Sequence, residues 1–152
     1  MTSLLIGLGV SHRGDDGVGI EVVRRVAALQ PQGVDVLEVD DPASLLDTWS
    51  GMDHVVVVDA MSSRREPGTV LTLDVTDSSL PSEGWAAGGT HALGLATAVE
   101  LSRALGRLPR RLMVVGIEVE STAPGTQLSA AVSAAVEPSV VAAMRALEDG
   151  GA

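Results

Sequence analysis

The alternation of apolar and polar positions along the chain predicts strands and helices in turn. Ser3–Leu8 is a short apolar run that turns glycine-rich, the pattern of a buried first strand. Val18, Val22, Val26 and Leu29 then recur at helical spacing, and Pro31 and Gly33 end that helix. Val34–Val39 predicts a second strand, and Pro42–Trp49 a short helix with Leu45, Leu46 and Trp49 on one face. His54–Val58 carries a continuous β-branched run, the composition of a strand covered on both faces. Thr69–Val75 starts only about ten residues after Asp59, too soon for a helical crossover, so it predicts an antiparallel edge strand. Asp77–Thr90, rich in Ser, Gly and Pro, predicts a mobile surface loop. A helix follows from about Ala92 to Leu105, stopping at Gly106 and Pro109. Leu112–Ile117 makes a fifth strand, and a last helix runs from Leu128 towards Leu147. The expected fold is α/β: a three-layer α/β/α sandwich around a five-stranded, mostly parallel twisted sheet with one antiparallel edge strand. It is expected as a single domain over residues 1–152.

Composition narrows the function classes. Ten basic residues, all arginine, stand against 20 acidic ones, for a net charge of −10. Such a surface repels phosphate backbones, so no nucleic-acid partner is expected. Trp49 and Trp85 are the only aromatic residues, which removes stacking platforms for single strands. The absence of cysteine excludes disulfides, thiolate zinc sites, iron–sulfur clusters and a cysteine nucleophile. No unbroken apolar run approaches the roughly 18 residues of a membrane span, so no membrane partner is expected. The opening Met1–Ile6 lacks a basic n-region, so the expected compartment is the cytoplasm. The expected assembly state is a monomer or weak homo-oligomer.

The loop after the first strand carries the first chemistry. Gly7-Leu8-Gly9 suggests a dinucleotide site, but His12 stands where the fingerprint needs its third glycine. Asp15 and Asp16 also lie where a pyrophosphate would meet the helix, and two carboxylates there suit a cation. Either could cap the helix, yet one cap suffices. The second carboxylate is left for another task. Asp59 ends the Val55–Val58 run, at the carboxyl edge where open α/β sheets bind ligands, although a turn-forming Asp reads the same way. His91 precedes the next helix, whose positive end favours the neutral imidazole that metals need; a cap or an exposed loop residue is the plainer reading. The expected topology puts the Asp15–Asp16 loop, Asp59 and His91 on one rim, where two carboxylates and one imidazole make a divalent-metal site with open positions.

These segments resemble a family. Gly7-Leu8-Gly9 with Arg13-Gly14-Asp15-Asp16-Gly17-Val18-Gly19 looks like the opening motif of the hydrogenase maturation proteases. The likeness continues through Val58-Asp59-Ala60, Pro67-Gly68 and Thr90-His91-Ala92-Leu93-Gly94-Leu95, then Gly116-Ile117-Glu118-Val119-Glu120 and Leu128-Ser129. It implies an endopeptidase that removes the C-terminal tail of a [NiFe] hydrogenase large-subunit precursor. It also implies a twisted five-stranded sheet between helices, and metal-binding, catalytic residues at Asp16, Asp59 and His91, which leaves the helix cap to Asp15. The implied cofactor is a divalent metal, nickel supplied with the substrate, for which zinc or cadmium could substitute in vitro. Two departures are visible: Val10 where members commonly carry Asn, and Ala130 where proline usually follows Leu-Ser. A non-catalytic nickel-binding checkpoint or chaperone for the precursor would use the same residues. A flavodoxin-like nucleotide binder is the third reading, and the acidic loop argues against it.

Other residues invite a role. His54 starts the strand that Asp59 ends, roughly 17 Å away, so the two do not share an ion. His12 could add a fourth ligand or face solvent. Glu118 and Glu120 close strand five and could touch substrate or simply be exposed acids. Arg64, Arg65 and Glu66 read as a solvated turn, and Ser62 and Ser63 lack the surroundings of a nucleophile elbow. Trp85 reads as an exposed contact for a partner or as packing folded back onto the edge strand.

Overall fold

The computed structural model describes residues 2–10, 13–81, 85, 94–120 and 127–150. Within them β1 (Ser3–Leu8), β2 (Val34–Val39), β3 (His54–Met61), β4 (Val70–Asp74) and β5 (Arg111–Glu118) form one sheet, ordered β2-β1-β3-β5-β4. All pairings are parallel except β4 with β5. The expected antiparallel edge strand is therefore β4. The helices are α1 (Val18–Ala28), α2 (Leu45–Trp49), α3 (Leu95–Ala104) and α4 (Ala130–Gly150).

Strand side chains alternate between two apolar layers, as a period of two requires. Leu5, Val56, Val58, Val115 and Ile117 pack with Val18, Val22 and Val26 of α1 and Val132, Val136 and Ala143 of α4. On the opposite face, Ile6, Val55, Val57, Leu112 and Val114 pack with Leu45 and Trp49 of α2 and Leu95 and Val99 of α3. Val55 to Val58 are all fully buried, and each such side chain contributes about 1.5–3 kcal/mol. Leu29 falls outside this stripe: α1 ends at Ala28, and Leu29 is exposed. Helix α4 is long and apolar enough to cross a membrane by length and composition alone. Its apolar stripe is nevertheless spent on α1 and the sheet, with Val132, Val136, Ala143 and Leu147 buried there.

Two features of the sheet prepare a site. The chain leaves β1 to one side for β2 and returns on the other for β3, so the strand order reverses between β1 and β3. Ligand crevices of open α/β sheets form at the carboxyl ends of strands at such a reversal. Strand β3 also outruns β1. Its pairing with β1 stops at Val58, whereas its pairing with β5 continues through Asp59, Ala60 and Met61. Asp59 thus does not end its strand, as the sequence suggested. It stands inside β3 at the point where β1 has already turned away.

Candidate active site

The loop after β1 is forced tightly against the strand ends. Gly9 has φ +146°, and a Cβ there would strike the Asp16 carbonyl oxygen. Residues Gly14–Gly17 form a 3-10 turn that runs directly into α1. A Cβ on Gly19 would collide with the Val58 carbonyl and lie 2.7 Å from that of Leu8. Only glycine lets the start of α1 sit this close to the ends of β1 and β3. Asp16 is carried into the crevice as a result. Its Oδ2 accepts the backbone N–H of Val10 at 3.1 Å. That contact uses the main chain of position 10, so valine supplies it as well as asparagine would.

Asp59 is half-buried, and its carboxyl is held well above the ordinary carboxylate range. Burial is the main cause, followed by the charge of Asp16, while the Ala60 N–H donating to it acts the other way. Two carboxylates that feel each other in a crevice are an acid pair that a cation would relieve. His91 and His12 lie outside the described residues. Among the described residues no cluster of three His, Asp or Glu gathers as a metal site. The structure therefore brings Asp16 and Asp59 together and leaves the third expected ligand unplaced.

Asp15 does not cap α1. Gly17 occupies the N-cap position, because the 3-10 turn separates Asp15 from the helix start. Its fully buried carboxylate instead accepts the Glu120 N–H at 2.9 Å, the Ser129 N–H at 2.6 Å and the Ser129 hydroxyl at 2.8 Å. Asp15 thus bolts the Asp16 loop to the end of β5 and the start of α4. Ser129, to which sequence reasoning gave no role, also accepts the Val132 N–H at 3.4 Å and begins the helix with its carbonyl on Ser133 N. A serine just before the apolar run of α4 was the available signal of an N-cap.

The remaining candidates separate. Glu118 is buried rather than an exposed strand-end acid, and its carboxylate accepts Ser63 N at 2.9 Å and the Ser63 hydroxyl. Glu120 is exposed. His54 sits at the amino end of central strand β3, away from Asp59, buried, with Nδ1 3.0 Å from the Ser3 hydroxyl. Burial and the Arg111 charge hold it below its ordinary pKa. Trp85 is buried, so it is not an exposed contact. Its ring covers Gly116 of β5, where a Cβ would stand 2.6 Å from its Cζ2, and it belongs to the same core cluster as Met61 of β3. It thus packs on the strand next to the edge strand, not on the edge strand itself. The rest of the expected loop, at 82–84 and 86–90, lies outside the described residues.

Comparison with known proteins agrees with this architecture. Residues 20–146 match the sequence profile described as hydrogenase maturation protease. The Hydrogenase 2 maturation protease of Escherichia coli (strain K12) is 29% identical over 155 residues, spanning 99% of this chain and 93% of that protein. The solved structure of the hydrogenase maturating endopeptidase HybD from E. coli superposes with a TM-score of 0.79 at 28% identity, covering 99% of this chain and 94% of the other. The [NiFe] hydrogenase maturation protease HybD from Thermococcus kodakarensis shares the fold, with a TM-score of 0.67 at 24% identity over 95% of this chain and 98% of that one. With the profile covering most of the chain and a full-length likeness to a maturating endopeptidase, the chain belongs to the hydrogenase maturation protease family.

Proposed function

We propose that this protein is a metal-dependent endopeptidase that removes the C-terminal tail of a nickel-loaded [NiFe] hydrogenase large-subunit precursor. The observation that carries the reading is the Asp16–Asp59 acid pair at the strand-order reversal, in a chain of this family. The donor chemistry fits a divalent ion: two carboxylates in a crevice, with His91 as the proposed third ligand. Nickel is taken to arrive with the precursor as part of the substrate. When bound, the ion supplies polarisation of a carbonyl or of water. The protein contributes the placement. Val10 N–H orients the Asp16 carboxylate, Asp15 fixes its loop, and the Ala60 N–H supports the Asp59 carboxylate. In the ion-free protein Asp59 keeps its proton at pH values where ordinary carboxylates have lost theirs.

The test is mass spectrometry of nickel-loaded precursor before and after incubation with the protein and with its Asp16→Ala and Asp59→Ala variants. Loss of the tail with wild type, and an intact precursor with both variants, supports the reading. A precursor that is bound but never shortened by wild type would instead make the protein a non-catalytic nickel checkpoint.

A further inference from the structure

The turn after β3 is braced with unusual thoroughness for a solvated loop. The buried Glu118 carboxylate accepts the Ser63 backbone N–H, at 3.1 Å to Oε1 and 2.9 Å to Oε2, and the Ser63 hydroxyl as well. The backbone of Glu118 holds the far side of the same turn, through Gly68 N at 2.8 Å and Thr69 O at 2.8 Å. Gly68, with φ +90°, lies so close to α4 that a Cβ there would sit 2.8 Å from the Ala131 carbonyl. On this anchored turn the exposed Arg65 donates Nη1–H to the Ser63 hydroxyl at 2.6 Å. One of the five guanidinium donors is thereby used to fix the group, and the others remain for a ligand.

Among the described residues no carboxylate forms an ion pair with Arg65. Among the described residues, Arg24, Arg25, Arg103, Arg107, Arg110 and Arg111 form ion pairs with acids. Those without one are Arg13, Arg64, Arg65 and Arg145. Three of these four follow the carboxyl ends of β1 and β3, the rim that holds Asp16 and Asp59. In a chain of net charge −10, unpaired cations are thus concentrated beside the site. Ser63 is four residues beyond Asp59, at most about 13 Å along an extended chain, within the reach of a short peptide lying across the crevice.

We infer that Arg65, held by Ser63 and Glu118, is a specificity-determining residue that binds a carboxylate of the peptide being processed. A guanidinium fixed before binding loses little freedom on pairing, and its fork matches a carboxylate bidentately. The inference rests on the proposed endopeptidase reading for the identity of the peptide, but not for the binding itself.

The experiment measures both the affinity of wild type and variants for the nickel-loaded precursor and the kcat and KM of tail removal. Arg65→Ala should weaken binding and raise KM by about tenfold with kcat nearly unchanged, and Arg65→Glu should do more. Arg65→Lys should recover only part, since it keeps the charge but loses the fork. Ser63→Ala should weaken binding a few-fold by freeing the guanidinium. Added salt should weaken wild-type binding more than that of Arg65→Ala. Arg145→Glu, on α4, is the charge control and should match wild type. Precursors with tail acids changed to amides should lose the Arg65 dependence if a side chain is the ligand, and keep it if the terminal carboxylate is. Wild type that binds through Arg65 without cleaving would overturn the endopeptidase reading and leave this inference standing. Arg65→Ala binding as tightly as wild type, Arg145→Glu weakening binding equally, or no precursor binding by wild type would each overturn it.

Discussion

Replacing Asp15 by alanine should cost far more than the loss of a helix cap. A cap is worth about 0.5–2 kcal/mol. The Asp15 carboxylate, fully buried, instead receives Glu120 N–H, Ser129 N–H and the Ser129 hydroxyl at 2.6–2.9 Å. Hydrogen bonds to a charged group contribute about 1.5–3 kcal/mol each, so three sum to about 4.5–9 kcal/mol. Water entering the vacated space satisfies some of the stranded donors, which brings the expected loss to about 3–5 kcal/mol. For a chain of this size that corresponds to a fall in Tm of about 6–20 °C. Urea unfolding followed by tryptophan fluorescence and far-UV circular dichroism measures it directly. Asp15→Asn should recover little, because its amide N–H₂ would face the donors the carboxylate accepted. A loss below about 2 kcal/mol for Asp15→Ala, or near wild-type stability for Asp15→Asn, would refute the bolt and return Asp15 to an ordinary cap.

Three further outcomes follow from the geometry. Asp59 is held above its ordinary value of 3.8, so the ion-free fold resists its ionisation and loses stability as pH rises from that value through the raised one. Asp59→Asn should therefore melt higher than ion-free wild type at about pH 8, the gap closing near about pH 3.5; a constant gap would count against it. His54 is held below 6.5, so the unfolded chain takes up its proton first and stability falls as pH drops below 6.5. His54→Leu should flatten that acid limb, and equal changes between about pH 7.5 and about pH 5.5 in both proteins would contradict this. Gly116→Ala should push Trp85 off β5, red-shifting the fluorescence and costing about 1–3 kcal/mol; an unshifted spectrum would show that the ring has room.

The sheet was legible because its strands obey local rules. Val55–Val58 could hardly be anything but a strand covered on both faces, and Pro67-Gly68 after a short interval left β4 no route to a parallel position. Asp16 and Asp59 each also read locally, as a cap or a turn residue, and only the shared rim and the family resemblance singled them out as a pair. The roles of Asp15 and Glu118 were not. Each is fixed by partners far away in sequence, Ser129 at a separation of 114 residues and Ser63 at 55, and no periodicity or spacing encodes such contacts. Trp85 stayed open between a partner contact and packing for a similar reason: its cover is Gly116, and a glycine in a strand signals close approach without naming what approaches.

The strand order has a consequence for how the protein is made. Strand β5 is synthesised after β4 yet lies between β3 and β4, and β4 pairs with β5 alone among the described residues. Until residues 111–118 leave the ribosome, β3 keeps an open edge of four apolar valines and β4 lacks its native partner. Pairing β4 directly onto β3 would occupy the place of β5, a trap that must be undone before the crevice can close. Folding of this domain should thus be limited by the arrival of its last strand, and late in synthesis is when chaperone protection of the β3 edge matters most.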